Sequence, residues 1–166
     1  MLCDVLQVMI LRELSALQRS VEAYPDDASI WAMPAGVPNA GGTLVLHLAG
    51  NLQHYVGTVL GGSGYRRDRA AEFARRDVPR AELVAEVAAA ANAVEYTLPT
   101  VSAKTLSTPF PETIGGQVLT TEAFLVHLAA HLAYHLGQLD YHRRIVTGDS
   151  RGVGAISVAE LATLSA

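Results

Sequence analysis

Cysteine and long uncharged apolar runs are scarce in this sequence, and each scarcity excludes a class of protein. Cys3 is the only cysteine, so the chain can form neither an internal disulfide nor a cysteine-based zinc site. A lone thiol fits a reducing compartment, and we expect a cytoplasmic protein. The most apolar segment, around residues 123–136, is interrupted by histidines, and the first residues lack the basic start of a signal peptide. We therefore expect no membrane association.

Strong positive charge is also lacking, which argues against a nucleic-acid partner. The net charge is −4, and the one basic cluster, Arg66–Arg69, is interrupted by Asp68 and followed by Glu72. Such a cluster indicates a solvated loop or local ion pairs more than a phosphate-binding surface. With 166 residues, half of them hydrophobic, the chain is predicted to form one compact domain over residues 1–166.

Helical periodicity is clear in four long segments. They cover residues 2–23, 40–60, 79–96 and 121–147. Asn39, Asp77 and Thr120 are the predicted N-caps of the second, third and fourth helices. A proline-rich connection of about twenty residues, Thr97–Gln117, joins the third helix to the fourth, and residues 158–164 predict a short final helix. The pattern predicts an all-α fold, a four-helix bundle with a long crossover loop between helices three and four.

All six histidines lie on the second and fourth predicted helices. His127, His131 and His135 follow one another at four-residue intervals, so a helix places them in a ridge along one side. On the second helix, His47 and His54 are seven residues apart and also share a side. If these helices face each other, one of those two histidines can complete a metal site with His131 and His135. Three neutral imidazoles with one vacant position are typical of catalytic metal sites.

The alternative is that these histidines are ordinary buried residues that hydrogen-bond within the core. A lone histidine on an apolar helix face is usually such a hydrogen-bonded core residue. A whole cluster of buried, unpartnered imidazoles would be costly, however, and a shared cation removes that cost. No Glu-x-x-His pair occurs, which argues against a di-iron bundle, and no Gly-x-Ser-x-Gly elbow occurs. The pattern therefore favours a metal site over a hydrogen-bonded core.

Two segments resemble the DinB-like superfamily of bacterial four-helix proteins. They are Thr43–Tyr55, which contains His47-Leu-Ala-Gly-Asn51, and His131–Gln138, which reads His-x-x-x-His-x-Gly-Gln. The stretches Arg67–Arg69 and Glu72–Phe73 are similar to one subgroup of it. The resemblance implies a divalent metal ion (zinc, nickel or manganese) and often a homodimer. Carried over residue by residue, the metal triad falls on three histidines: His47, His131 and His135.

Some members of that superfamily are thiol-dependent transferases or isomerases, so the resemblance implies a metal-dependent enzyme that uses a small-molecule thiol. The alternatives are a metal-dependent hydrolase and a non-catalytic, stress-related protein that binds a metal or another ligand. His127, His54, Gln138 and Asn51 are candidates for supporting positions around the ion. If His54 or His127 instead supplied a fourth ligand, the closed site would indicate a structural role.

Overall fold

The computed structural model describes residues 2–155 and 157–165, and these residues form seven α-helices. The helices are α1 (Leu2–Glu22), α2 (Asp27–Ile30), α3 (Gly41–Leu52), α4 (Arg69–Ala74), α5 (Arg80–Thr97), α6 (Ala103–Ser107) and α7 (Thr121–Thr147). The end of α3 continues as a π-helix over Gln53–Leu60, and two 3₁₀ helices cover Leu98–Thr100 and Val158–Ser165. Within the described ranges no strand forms, and the only β pairings are two isolated bridges. The all-α prediction is confirmed.

The four long helices pack around one core. Helix α1 lies against α5 and α7, and α3 lies against the same two, so α1 and α3 are diagonal partners in the bundle. Each helix contributes fully buried aliphatic side chains to the core, such as Leu17, Leu48, Leu83 and Leu132. Because α3 and α7 are direct neighbours, the two histidine-bearing helices face each other. None of the helices in the described part of the chain has the length and apolar content to cross a membrane.

Local sequence signals place the ends of α7 correctly. Thr120 is the N-cap, and its hydroxyl accepts a hydrogen bond from the Ala123 backbone N–H at 3.2 Å. At the other end Gly148 takes the left-handed conformation that ends many helices, with φ of 71°. The predictions for the two other caps were wrong. Ala40 rather than Asn39 precedes α3, and Pro79 rather than Asp77 precedes α5.

The connection between α5 and α7 is more ordered than its proline content predicts. It contains the short helix α6, and the Phe110 N–H donates to the Leu119 carbonyl at 2.8 Å where the connection folds back on itself. Phe110 is buried, and its ring centroid lies 4.5 Å from that of Phe124 on α7. The crossover is therefore packed onto the bundle near the first turn of α7.

Helix α4 was not predicted from the sequence, yet it matters for the site. Asp68 caps it by accepting a hydrogen bond from the Ala71 N–H at 2.9 Å. The helix packs against α3. This contact brings the buried carboxylate of Glu72 to the face of α3 that carries His47.

Candidate metal centre

Three histidines meet where α3 faces α7. His47 comes from α3, and His131 and His135 come from successive turns of α7. One ring nitrogen of each lies within 4.8 Å of the others, and the Nε2 atoms of His47 and His131 are 3.2 Å apart. Two nitrogens on one tetrahedral zinc ion, each about 2.0–2.1 Å from it, are separated by about 3.3 Å. The three side chains therefore fit a single divalent ion.

The protonation of this cluster suits a metal ligand, which must be neutral. Burial, together with the nearby rings of His135 and His47, lowers the pKa of His131 to about 4. At neutral pH the His131 imidazole is consequently uncharged. His47 is buried, whereas His131 and His135 are half-buried, so one side of the cluster is open to solvent.

A buried carboxylate contacts His47 at Nδ1, on the side of the ring away from the cluster. His47 Nδ1 lies 3.0 Å from Glu72 Oε2, and Arg67 binds both carboxylate oxygens, with Nε 2.6 Å from Oε1 and Nη2 2.9 Å from Oε2. Burial pushes the pKa of Glu72 up, but the hydrogen bonds from Arg67 and His47 hold it below its usual value. The carboxylate is therefore ionised and accepts a hydrogen bond from His47 Nδ1, which leaves Nε2 facing the other two histidines.

Gly50 makes this arrangement possible. It lies on α3 one turn after His47, and a Cβ atom built there would collide with the Glu72 carboxylate and come within 3.3 Å of the Tyr65 hydroxyl. A side chain at position 50 would thus exclude Glu72 from its place beside His47. The glycine therefore leaves room for the Glu72 carboxylate beside α3.

Gln138 plays a comparable part for His135. Its Oε1 atom lies 2.6 Å from His135 Nδ1. An amide oxygen only accepts, so this hydrogen bond places the proton on Nδ1 and leaves the lone pair on Nε2. Two of the three clustered rings therefore have a protein partner on the nitrogen that faces away from the cluster.

The other candidate residues lie outside the three-histidine cluster. His54 is two turns from His47, and its Nε2 pairs with Glu112 Oε2 at 3.1 Å. His127 is exposed and stacks on Phe124, with its ring centroid 6.0 Å from that of His131. Asn51 is buried, and within the described residues it makes no hydrogen bond to the three histidines. No fourth histidine, cysteine, aspartate or glutamate of the described chain joins the cluster.

His142, further along α7, is held in a closed hydrogen-bonded site. Its Nε2 lies 2.9 Å from the Ala32 carbonyl, and its Nδ1 lies 2.6 Å from the Tyr24 hydroxyl. Between this site and the cluster lies Gly137, where a Cβ atom would meet nothing within 4 Å. Close helix packing therefore does not require a glycine at this position.

Sequence reasoning missed the role of Glu72 and Arg67. The basic cluster suggested either a solvated loop or local ion pairs, and the structure shows a buried ion pair for Arg67. The resemblance had already marked Arg67–Arg69 and Glu72–Phe73 without giving them a role. An acid four residues after Asp68, a residue suited to cap a helix, was the signal that could have placed Glu72 on a short helix.

Comparison with known families adds one finding. A family model described as the DinB superfamily matches residues 9–139. The matched range covers most of the chain and includes the three clustered histidines together with Arg67, Glu72 and Gln138. No curated protein matches the chain significantly.

Proposed function

The chain belongs to the DinB superfamily, and from that membership we propose that it is a metal-dependent enzyme whose divalent ion is held by His47, His131 and His135. The observation that supports this proposal most directly is the convergence of the three rings on one point with one side open. The fourth protein ligand that would indicate a purely structural site is absent from the described residues.

The donor set limits the metal. Three imidazole nitrogens suit zinc and nickel, whereas manganese prefers carboxylate and water oxygens. The nearest carboxylate, Glu72, has both oxygens occupied by Arg67 and His47. We therefore favour zinc or nickel over manganese.

The reaction we propose uses a low-molecular-weight thiol. The thiol is either transferred onto a small electrophile or assists the isomerisation of that electrophile. A divalent ion bound by three neutral imidazoles lowers the pKa of a thiol or water that binds it. The surrounding residues favour the thiol. Activation of water is helped by a nearby general base, but Glu72 is occupied by Arg67, and Glu112 is paired with His54. A thiol is acidic enough to need less help from such a base.

The test begins with elemental analysis of untagged protein purified without chelator or immobilised metal. We expect about one divalent ion per chain, as for a mononuclear three-histidine site. The cobalt-substituted protein should then show a new sulfur-to-metal absorption band when a small thiol is added. Metal-free protein, even after dialysis against zinc, nickel and manganese, would contradict the proposal. Metal without any thiol response would move the assignment to a hydrolase or to a non-catalytic binding protein.

A homodimer is the partner we propose. Helix α7 leaves Tyr134, Tyr141 and Ile145 exposed at intervals of seven and four residues, which places them on one side of the helix. Exposed apolar residues arranged in this way suit contact with a second copy. Light scattering of the purified protein should give twice the mass of the chain, and a monomer at micromolar concentration would contradict the proposal.

A further inference from the structure

We propose that Glu72 is a positioning residue that fixes the tautomer of His47, and that Arg67 holds Glu72 in place for this purpose. The inference rests on the proposed function in one respect, namely that His47 Nε2 is the atom offered to the ion. The tautomer itself is a property of the metal-free protein and can be measured without any ion.

The hydrogen bonds at His47 Nδ1 define the tautomer. Glu72 Oε2, 3.0 Å away, can only accept a hydrogen bond, because the carboxylate is ionised and bound by two guanidinium N–H groups. Arg67 Nη2 lies 3.4 Å from the same nitrogen, a longer contact that a protonated Nδ1 cannot accept. The proton therefore lies on Nδ1, and the lone pair lies on Nε2.

The contact on the other side of the ring agrees with this assignment. His47 Nε2 is 3.2 Å from His131 Nε2, and two neutral rings can share such a contact only if one donates and the other accepts. With its proton on Nδ1, His47 is the acceptor and His131 is the donor. His131 must then lose the proton on Nε2 before that nitrogen can bind an ion. His47 already has a free lone pair on Nε2 and can bind a metal without such a change.

The ion pair also keeps Glu72 from becoming a ligand itself. Arg67 engages both oxygens, and the Arg67 and Glu72 side chains are 9% and 6% exposed. The pair is neutral as a whole, so it orients His47 without neutralising an ion held by the three imidazoles. A free carboxylate in the same place could instead rotate onto the ion and close the open position.

The experiment measures the His47 tautomer by long-range ¹H–¹⁵N NMR of chelator-treated protein, with the resonance assigned by its loss in His47→Gln. The parent should show the proton on Nδ1. In Glu72→Ala, the signal should move towards the form protonated on Nε2, and the metal affinity should fall about 10- to 100-fold. In Glu72→Gln, the amide oxygen can still accept from Nδ1, so both properties should be largely restored.

Glu13 provides a matched control. Like Glu72 it is 6% exposed and bonded to an arginine, with Arg12 Nη2 2.6 Å from its Oε1, but it lies on α1 and touches no histidine in the described structure. Glu13→Ala should lose stability as Glu72→Ala does, while leaving the His47 tautomer and the metal affinity unchanged.

Three results would overturn the inference, and the first two are a parent protein with His47 protonated on Nε2 and a Glu72→Ala variant that keeps both the Nδ1 proton and the parental affinity. Equal losses of affinity in Glu72→Ala and Glu13→Ala would also overturn it, because the effect would then be one of general stability. If the tautomers follow the expectation but the parent binds no metal, the proposed function fails and the inference about Glu72 stands.

Discussion

Two of the places where helix α7 carries histidines share a residue type and a helix but differ in what surrounds them. At His131 and His135, ring nitrogens face one another and His47, with one side open. At His142, the protein supplies a partner for both nitrogens, since Nδ1 accepts from the Tyr24 hydroxyl and Nε2 donates to the Ala32 carbonyl. The comparison shows that a histidine on a helix is a candidate ligand only where the fold leaves one nitrogen without a fixed protein partner.

The largest expected effect is on metal content, which should differ between variants in the cluster and a variant at His142. His131→Ala should lose all stoichiometric metal, since it removes one of three ligands, and His135→Ala should do the same. His142→Ala should keep the parental metal content, because its ring nitrogens are used within the core. Elemental analysis of the three variants beside the parent checks this. Full metal content in His131→Ala would show that the cluster is not the site.

The second expectation concerns stability, for which His142→Ala should have a large effect although it leaves the metal content unchanged. His142→Ala should destabilise the protein by about 2–4 kcal/mol, because it leaves the buried Tyr24 hydroxyl and the Ala32 carbonyl without a partner. Tyr24→Phe, which removes only one of these hydrogen bonds, should cost about 1 kcal/mol. Urea denaturation in the presence of chelator measures both. A His142→Ala variant as stable as the parent would mean that this histidine does not hold the fold together.

A third expectation compares two glycines, Gly50 beside the cluster and Gly137 between the two places. Gly50→Ala should displace Glu72 and weaken metal binding about 10-fold while leaving all three ligands present. Gly137→Ala meets no neighbour within 4 Å, so it should keep the affinity and stabilise α7 by about 0.5–1 kcal/mol. Competition with a chromophoric chelator gives the affinities. Equal affinities in the two variants would contradict the crowding at Gly50.

The smallest expected effect is a dependence of stability on pH. Burial lowers the pKa of His142, against the opposing effect of its hydrogen bond to Ala32. The unfolded histidine takes up a proton near pH 6.5 and the folded one only at lower pH, so stability is lost as pH falls below about 6.5. The slope for one such group is at most about 1.4 kcal/mol per pH unit.

His142→Gln should remove that contribution, and unfolding experiments between pH 5 and 7.5 in chelator measure the change. His131, whose pKa is lowered to about 4 by burial and the neighbouring rings, adds a separate slope of the same sign in metal-free protein. If His142→Gln left the slope unchanged, His142 would not be the group that titrates.

The bundle and two of the three clustered histidines could be predicted from short-range patterns. The four-residue spacing of His131 and His135 puts both on one side of any helix, and Thr120 and Gly148 mark the ends of α7 chemically. The superfamily resemblance assigned His47 rather than His54 to the cluster. The structure agrees, because His54 lies about 10 Å further along the helix axis and pairs with Glu112.

By itself, the sequence determined the class of fold and the set of histidines that can meet, because helix periodicity and capping depend on neighbours within a few residues. Only the tertiary structure decided how those histidines differ. The approach of α4 to α3 over Gly50 brings Glu72 to His47, and the contacts of α7 with Tyr24 and Ala32 close the site of His142. These partners lie from 25 to 118 residues away along the chain, so they become neighbours only when the packed bundle brings their helices together.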